Sequence, residues 1–391
     1  MLVIRLCYIV AFCSHCVLAV TSILLSLYVK ELGASVTQIG LVCSAFFLGA
    51  LISAPLWGFF SDRTGKRKLV ILLSMIGEAS SCFLIIITRN ILLLTLIQFL
   101  FGASFVANRP ILNTLIIESS PPNKKGRSVG FLNIARESAW TTGCILAGTI
   151  GNIGLIYTFY AGLIISTTGL FASSFLKEID RKESTEQYYH SCKEGFSPYI
   201  WVIRTTLAFL YVSKFIQSCA QSGAYKFLPI YFASLNITRT GSGIIFASES
   251  IIEVFLFPLI GKFSDKVRNG PKLLMIMGFL SSTMSLFLFS VFHTVSQFFI
   301  PQVFIAISWA SFIVGATVFI SEQAPRERQM EAMGLLDSFT NMGGILGPII
   351  FAQLLVITKS FVSGLRIVMI LPILSTFIIM TKLKKKVKSA R

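Results

Sequence analysis

The chain has 391 residues, of which 54% are hydrophobic and only 13% are charged, and its formal net charge is +17 at pH 7. Charged side chains are too few to cover the surface of a water-soluble protein of this length, which excludes a soluble globular domain. The basic residues are dispersed over short segments between apolar runs, so they indicate membrane topology rather than nucleic-acid binding.

Apolar runs long enough to cross a bilayer, which takes about 20 residues, recur along the whole chain. Because these runs are continuous and not alternating, they predict helices rather than a β-barrel. We predict an all-α integral membrane protein with twelve transmembrane helices. The predicted spans are residues 6–29, 36–60, 69–88, 91–117, 129–150, 154–176, 199–232, 240–262, 273–292, 297–320, 332–357 and 364–381.

An internal duplication divides these spans into two sets of six. The segment Pro55–Arg63 returns 203 residues later as Pro258–Lys266, with six of nine positions identical. A second repeat lies at nearly the same offset, where Glu118, Pro121, Gly130 and Leu132 recur as Glu322, Pro325, Gly334 and Leu336. The duplication predicts two six-helix bundles in pseudo-two-fold relation, at 1–176 and 199–382, joined by a polar cytoplasmic linker at 177–198 and followed by a basic tail at 383–391.

The distribution of basic residues predicts the orientation. With both termini in the cytoplasm, 24 of the 34 Lys and Arg residues fall on the cytoplasmic side and four on the opposite side. The positive-inside rule therefore predicts a multi-pass protein of the cell membrane with cytoplasmic termini.

The loop after the second span carries Gly58, Asp62, Arg63, Gly65 and Arg67, followed by a further lysine. This pattern resembles the loop between spans two and three of the major facilitator superfamily of secondary transporters, and the resemblance covers essentially the whole chain. The weaker copy after the eighth span has Gly261, Asp265 and Lys266, which is also usual for that family.

The resemblance implies a conformational latch formed by these two loops. Gly58 has no side chain, so a neighbouring helix can approach it closely. Asp62 lies where a carboxylate can accept hydrogen bonds from free amides at the start of another helix, which in the family is span eleven. The alternative interpretation is that the charges only set topology and contact lipid headgroups.

The fifth span resembles that of proton-coupled exporters in its small residues, which include Gly143 and Gly148, but it lacks their proline. In the fourth span Gln98 stands where drug–proton exchangers of the family often have an arginine. The resemblance therefore favours efflux, without a standard drug-antiport proton relay.

Ionisable residues inside a membrane span cost about 2.5–3.5 kcal/mol each on insertion scales, so they are functional candidates. Arg109 and Glu137 lie at similar depth, as do Lys214 and Glu249, so each couple is predicted to pair. Glu253 follows Glu249 by four residues and shares its helix face. These acids either take up and release protons or form static ion pairs between packed helices.

The resemblance also implies a central cavity lined by spans one, four, seven and ten. It nominates as substrate or proton candidates His15, Asn108, Arg109, Lys214, Gln217 and Trp309. Ordinary helix packing is the alternative role for each of them.

We expect a secondary active transporter that moves a small solute by alternating access and uses a proton gradient. We expect no enzymatic activity, no cofactor, no metal and no nucleic-acid partner; the partners are a small-molecule substrate and lipid, and the protein is expected to be a monomer. Export of a drug-like or metabolite solute is favoured. The alternatives are a proton-coupled uptake symporter for a sugar or organic acid, and a non-transporting receptor or scaffold with the same fold.

Overall fold

The computed structural model describes residues 2–121, 124–176, 206–267, 269–325 and 328–383, apart from the side chains of Asp62 and Asp265. Twelve helical spans cross these ranges, which confirms the predicted all-α membrane fold. In chain order they are Leu2–Ser22 continued by Leu25–Glu31, Val36–Thr64, Arg67–Ile87, Ile91–Ser119, Lys125–Ile153, Ile156–Ser174, Leu207–Ser234, Arg239–Lys266, Gly270–Val291, Val295–Gln323, Gln329–Thr358, and Phe361–Val368 continued by Ile370–Lys382. The predicted linker at 177–198 and the tail after Leu383 lie outside the described residues.

Ten of these spans are long and apolar enough to cross a membrane by composition alone. The other two, Lys125–Ile153 and Leu207–Ser234, are spans five and seven, and they carry more charged and polar residues. Some of their polar side chains contact other helices, as in the bond between Thr141 and Ser250 and the bond between Gln217 and Ser282. The lower hydropathy of these two spans therefore reflects polar contacts with other helices inside the protein.

Local signals in the sequence fix where span two begins and ends. Ser35 and Gln38 form a capping box, in which each side chain accepts a hydrogen bond from the other residue's backbone amide. Gly65 ends the helix with φ of 65°, in the left-handed region that favours glycine. Gly65, which belongs to the latch pattern, therefore also ends the helix of span two.

Equivalent contacts in the two sets of six spans show that the duplication extends to the tertiary structure. The Tyr8 hydroxyl donates to the Ser128 carbonyl at 3.1 Å, and the Tyr211 hydroxyl donates to the Ala332 carbonyl at 3.0 Å. The same relation holds for the lysines that begin spans three and nine, Lys68 bonded to the Ser174 carbonyl and Lys272 bonded to the Met380 carbonyl.

The apolar cores differ between the two ends of the molecule. We call the end with the loops after spans two, four, eight and ten the basic face, and the other end the opposite face. Towards the basic face, one core contains residues of spans one to six alone and another contains residues from span seven onwards alone. Towards the opposite face, a single core combines both sets. The two halves therefore pack together at one end only.

Small residues allow spans five and eight to approach each other closely near the opposite face. A Cβ atom added at Gly148 would lie 3.0 Å from the Gly243 Cα, and one added at Gly243 would lie 2.4 Å from the Cys144 carbonyl oxygen. The small residues of span five thus hold one half against the other.

We expect Gly243→Ala to destabilise this closed arrangement by about 1–3 kcal/mol, because the new methyl group overpacks the contact between spans five and eight. Thermal unfolding of the purified protein in detergent measures the effect. The matched control is Gly130→Ala, since nothing lies within 4 Å of a Cβ added at Gly130. Equal melting temperatures for the two variants would contradict the prediction.

Candidate functional site

The opposite face is closed by polar contacts between the two halves. Arg239, at the start of span eight, forms an ion pair with Glu31 at 2.5 Å and donates to the Gly151 carbonyl at 2.5 Å. The Asn152 amide donates to the Thr240 hydroxyl at 2.5 Å. Glu31, Gly151 and Asn152 belong to the first half, so these bonds join spans one and five to span eight.

The halves are separated at the basic face. Among the glycines there, four at repeat-equivalent positions, two from each half, have no atom within 4 Å of an added Cβ. They are Gly58 and Gly130 with their repeat equivalents Gly261 and Gly334. The space around these positions is therefore unoccupied at the end where the two halves have separate apolar cores.

The latch residues lie at this open end. The Arg67 side chain pairs with Glu118 at the end of span four. Arg63 lies over the Phe59 ring, 5.8 Å from its centroid, and Lys266 is exposed. The side chains of the two aspartates are outside the described residues, so a bond from Asp62 to span eleven stays a prediction.

A cavity of about 280 Å³ lies between the halves. It is lined by residues from spans one, two, five, seven, eight, ten and eleven. Aromatic side chains form much of the wall, namely Phe46, Phe47, Trp140, Tyr225, Phe246 and Trp309. A concave, mainly apolar site with a few polar groups is typical of a binding site for a small molecule.

Two lysines of span seven line the cavity, and neither is within 4 Å of a carboxylate in the described part of the chain. Lys214 is only 3% exposed; its ammonium group donates to the Gln217 amide oxygen at 2.9 Å. The same group lies 5.2 Å from the Trp309 ring centroid and 4.4 Å from that of Phe312. Rings and an amide stabilise an ammonium group without neutralising its charge.

Lys226 lies three turns further along span seven, towards the closed face. Its ammonium group lies 5.8 Å from the centroid of the Phe47 ring, which belongs to the other half. The lysine is therefore positioned between the halves as well as in the cavity.

Acidic side chains meet where spans five and eight separate. The Glu137 and Glu253 carboxyl groups lie close enough to interact with each other, although they belong to different halves. One turn closer to the opposite face, the Thr141 and Ser250 hydroxyls are 2.6 Å apart. Two carboxylates in contact cannot both ionise without a large cost, so such a pair holds one proton.

Glu249 lines the cavity one turn from Glu253, and it accepts a hydrogen bond from the Tyr225 hydroxyl. It does not pair with Lys214, which points instead to Trp309 and Phe312 on span ten. The ion pair expected between Lys214 and Glu249 is therefore absent from the described residues.

Arg109 is exposed and is not part of the cavity wall. It lies within electrostatic range of Glu137, but the described residues contain no ion pair between them. The Arg136 guanidinium donates to the Arg109 backbone carbonyl at 3.2 Å. Glu137 is directed instead towards Glu253 on the facing span.

Asn108 belongs to a polar cluster buried inside the first half rather than to the cavity. The fully buried Glu78 accepts hydrogen bonds from the Ser14 hydroxyl at 2.7 Å and from the Asn108 amide at 3.1 Å. His15, the neighbour of Ser14, bonds through Nδ1 to the Ala11 carbonyl at 3.1 Å. In the second half, Gln217 bonds to Ser282 at 3.3 Å at the equivalent positions.

Several residues of the cavity wall were not predicted from the sequence. Trp140, Tyr225, Lys226 and Phe47 lack a motif, and Trp140 and Phe47 come from spans five and two, outside the four spans nominated. A usable signal was present for one of them, because Lys226 is a basic residue within a predicted apolar span. Depth counted from the span end placed it near the surface and so concealed it.

Comparisons with known proteins identify a family that matches this sequence and solved structures that share its fold. The family model described as Major Facilitator Superfamily matches residues 7–203 and 210–390. The quinolone resistance protein NorA of Staphylococcus aureus is 24% identical over 350 residues, which are 84% of each chain. The multidrug resistance protein MdtG of Proteus mirabilis is 30% identical over 273 residues, or 65% of each chain.

Among solved structures, the nucleoside transporter NupG superposes with a TM-score of 0.83 at 17% identity, covering 98% of this chain and 100% of that one. A bacterial homologue of the lysosomal transporter Spinster, crystallised in an inward-facing state, gives 0.77 at 16% identity, over 100% of this chain and 98% of the other. At these identities the likeness establishes the fold.

We expect Glu78 to be a structural acceptor. Glu78→Gln keeps an oxygen in the same place and should fold normally, whereas Glu78→Ala should cost about 2–4 kcal/mol, because it leaves a void and two unsatisfied donors. Thermal unfolding compares both variants with Glu331→Ala, an exposed control on span eleven. If Glu78→Ala unfolds like the control, the cluster does not stabilise the first half.

Proposed function

Because the chain belongs to the major facilitator superfamily, we propose that this membrane transporter exports a small, drug-like or metabolite solute by alternating access, in exchange for protons. The observation that carries the proposal is the central cavity, which is closed at the opposite face and open at the basic face. A site between two halves that separate at one end is what alternating access requires.

The predicted topology supports export. If the basic face is cytoplasmic, as the distribution of Lys and Arg indicates, the cavity opens to the cytoplasm of the cell membrane, where an exporter collects its solute. Two of the relatives carry names that refer to quinolone or multidrug resistance.

Closure of the basic face is the step in which the latch would act. Gly58 and Gly261 are free to receive a neighbouring helix, since the space around them is empty when this face is open. In the closed state Asp62 would then reach the amides at the start of span eleven. The Glu31–Arg239 pair and the Asn152–Thr240 bond would break in the same movement.

Proton coupling is assigned in this proposal to Glu137 and Glu253. Their contact joins spans five and eight, and these spans must separate when the opposite face opens. Separation would end the interaction between the two carboxyl groups, so a proton that they share is linked to the direction in which the cavity opens. Arg109 and Arg136 lie within electrostatic range of Glu137 and stabilise the carboxylate that remains.

We expect a disulfide between Asn152→Cys and Thr240→Cys to stop transport, because it locks the opposite face. The native cysteines of the described residues are buried and compete little for the oxidant. Solute counterflow in proteoliposomes is measured after oxidation and again after reduction, using the solute that gives the largest thermal shift in a panel. Each single variant is the control. Full counterflow by the cross-linked protein would contradict alternating access and favour a receptor or scaffold.

We expect Glu253→Gln to abolish solute movement driven by a proton gradient while counterflow without a gradient continues. The amide cannot share or release the proton, but it preserves the volume at the contact. Glu331→Gln, an exposed acid of span eleven, is the control. Unchanged gradient-driven transport would remove the pair from the coupling mechanism. Solute moving in the same direction as protons would instead identify an uptake symporter.

A further inference from the structure

We propose that the cavity selects aromatic organic anions, with the Lys214 ammonium group as their main partner. This inference deepens the function proposed above by naming the solute class, and it rests on that cavity being the transport site.

The charged groups in the cavity wall are mainly positive. The wall contains two ammonium groups, Lys214 and Lys226, and one carboxyl group, Glu249. Glu249 already accepts the Tyr225 hydroxyl, and neither lysine has a carboxylate within 4 Å in the described chain. The excess positive charge matches an anion and opposes a cation.

Lys214 is deeply buried. Because only 3% of its surface is exposed, this lysine has little contact with solvent. Asp337 lies within electrostatic range but is itself exposed and beyond ion-pair distance. An ammonium group held in this way gains from an anionic ligand that supplies both charge and hydrogen-bond acceptors.

Aromatic rings accompany both lysines. Trp309 lies beside Lys214, and Phe47 lies beside Lys226, and further aromatic side chains line the same cavity. The two lysines are separated by about 18 Å along the helix axis. A planar apolar body can stack on these rings while its acidic group reaches Lys214.

The second lysine extends the inference to the direction of movement. Lys226 lies nearer the closed face and contacts Phe47 of the other half. It therefore offers a second anion partner on the path that opens when the halves part at that face. In this proposal the anion binds first to Lys214 and then to Lys226, which lies further along span seven.

The test compares three probes of one shape and different charge: 2-naphthoate, 2-naphthylmethylamine and 2-naphthylmethanol. Their affinities for the full-length protein in detergent are measured by isothermal titration calorimetry in mildly acidic buffer. We expect naphthoate to bind at least about tenfold more tightly than the ammonium probe, as one charge-assisted contact provides. Lys214→Gln should remove this preference and leave the affinity for the neutral alcohol unchanged.

Two further variants keep the result interpretable. Lys214→Arg retains the charge and should retain the preference for naphthoate, which separates loss of charge from loss of fold. Lys30→Gln, an exposed lysine outside the cavity wall, should behave like the parent protein. The proposal is overturned if the ammonium probe binds as tightly as naphthoate, if Lys214→Gln leaves the naphthoate affinity unchanged, or if none of the three probes binds.

The binding measurement is independent of the transport experiments. It uses no gradient and no vesicle, so failure of proton coupling or of counterflow leaves the charge preference standing. Conversely, a cavity that transports cationic solutes would preserve the proposed transport function and overturn the solute class.

Discussion

The structure depends on a contact between two helix bundles that exists at one end of the molecule and not at the other. Near the opposite face, spans five and eight meet through Gly148 and Gly243, and a single apolar core combines both halves. Near the basic face each half has a separate core. Each half therefore has an apolar core of its own near the basic face, in addition to the core that the two halves share.

The charged residues inside the protein differ in whether they lie within one half or between the two halves. A buried charge in a membrane protein is costly unless it is paired or performs a function. Glu78 is held by Ser14 and Asn108 inside one half, where no relative movement is needed. Glu137 and Glu253 instead meet across the two halves, and Lys214 and Lys226 lie in the space between them. The first arrangement lies within one bundle, whereas the others lie between the bundles, where the proposed movement would act.

Only some of the predicted site residues line the cavity, and their spacing along the sequence does not distinguish them from the others. Lys214, Glu249 and Trp309 line the cavity, whereas Asn108 lies in the buried cluster and Arg109 is exposed outside the wall. Depth along a span was available from the sequence, since it follows from helix rise. The direction of each side chain around its helix was not, because it depends on which neighbour the helix packs against.

The sequence by itself determined the membrane environment, the twelve spans and the duplication. Each of these follows from composition or from internal repetition. Tertiary structure alone decided that the halves touch at the opposite face, that Glu137 meets Glu253 instead of Arg109, and that Lys214 turns to aromatic rings instead of Glu249. Those pairings are set by the rotation and tilt of whole helices against one another, which no local pattern encodes.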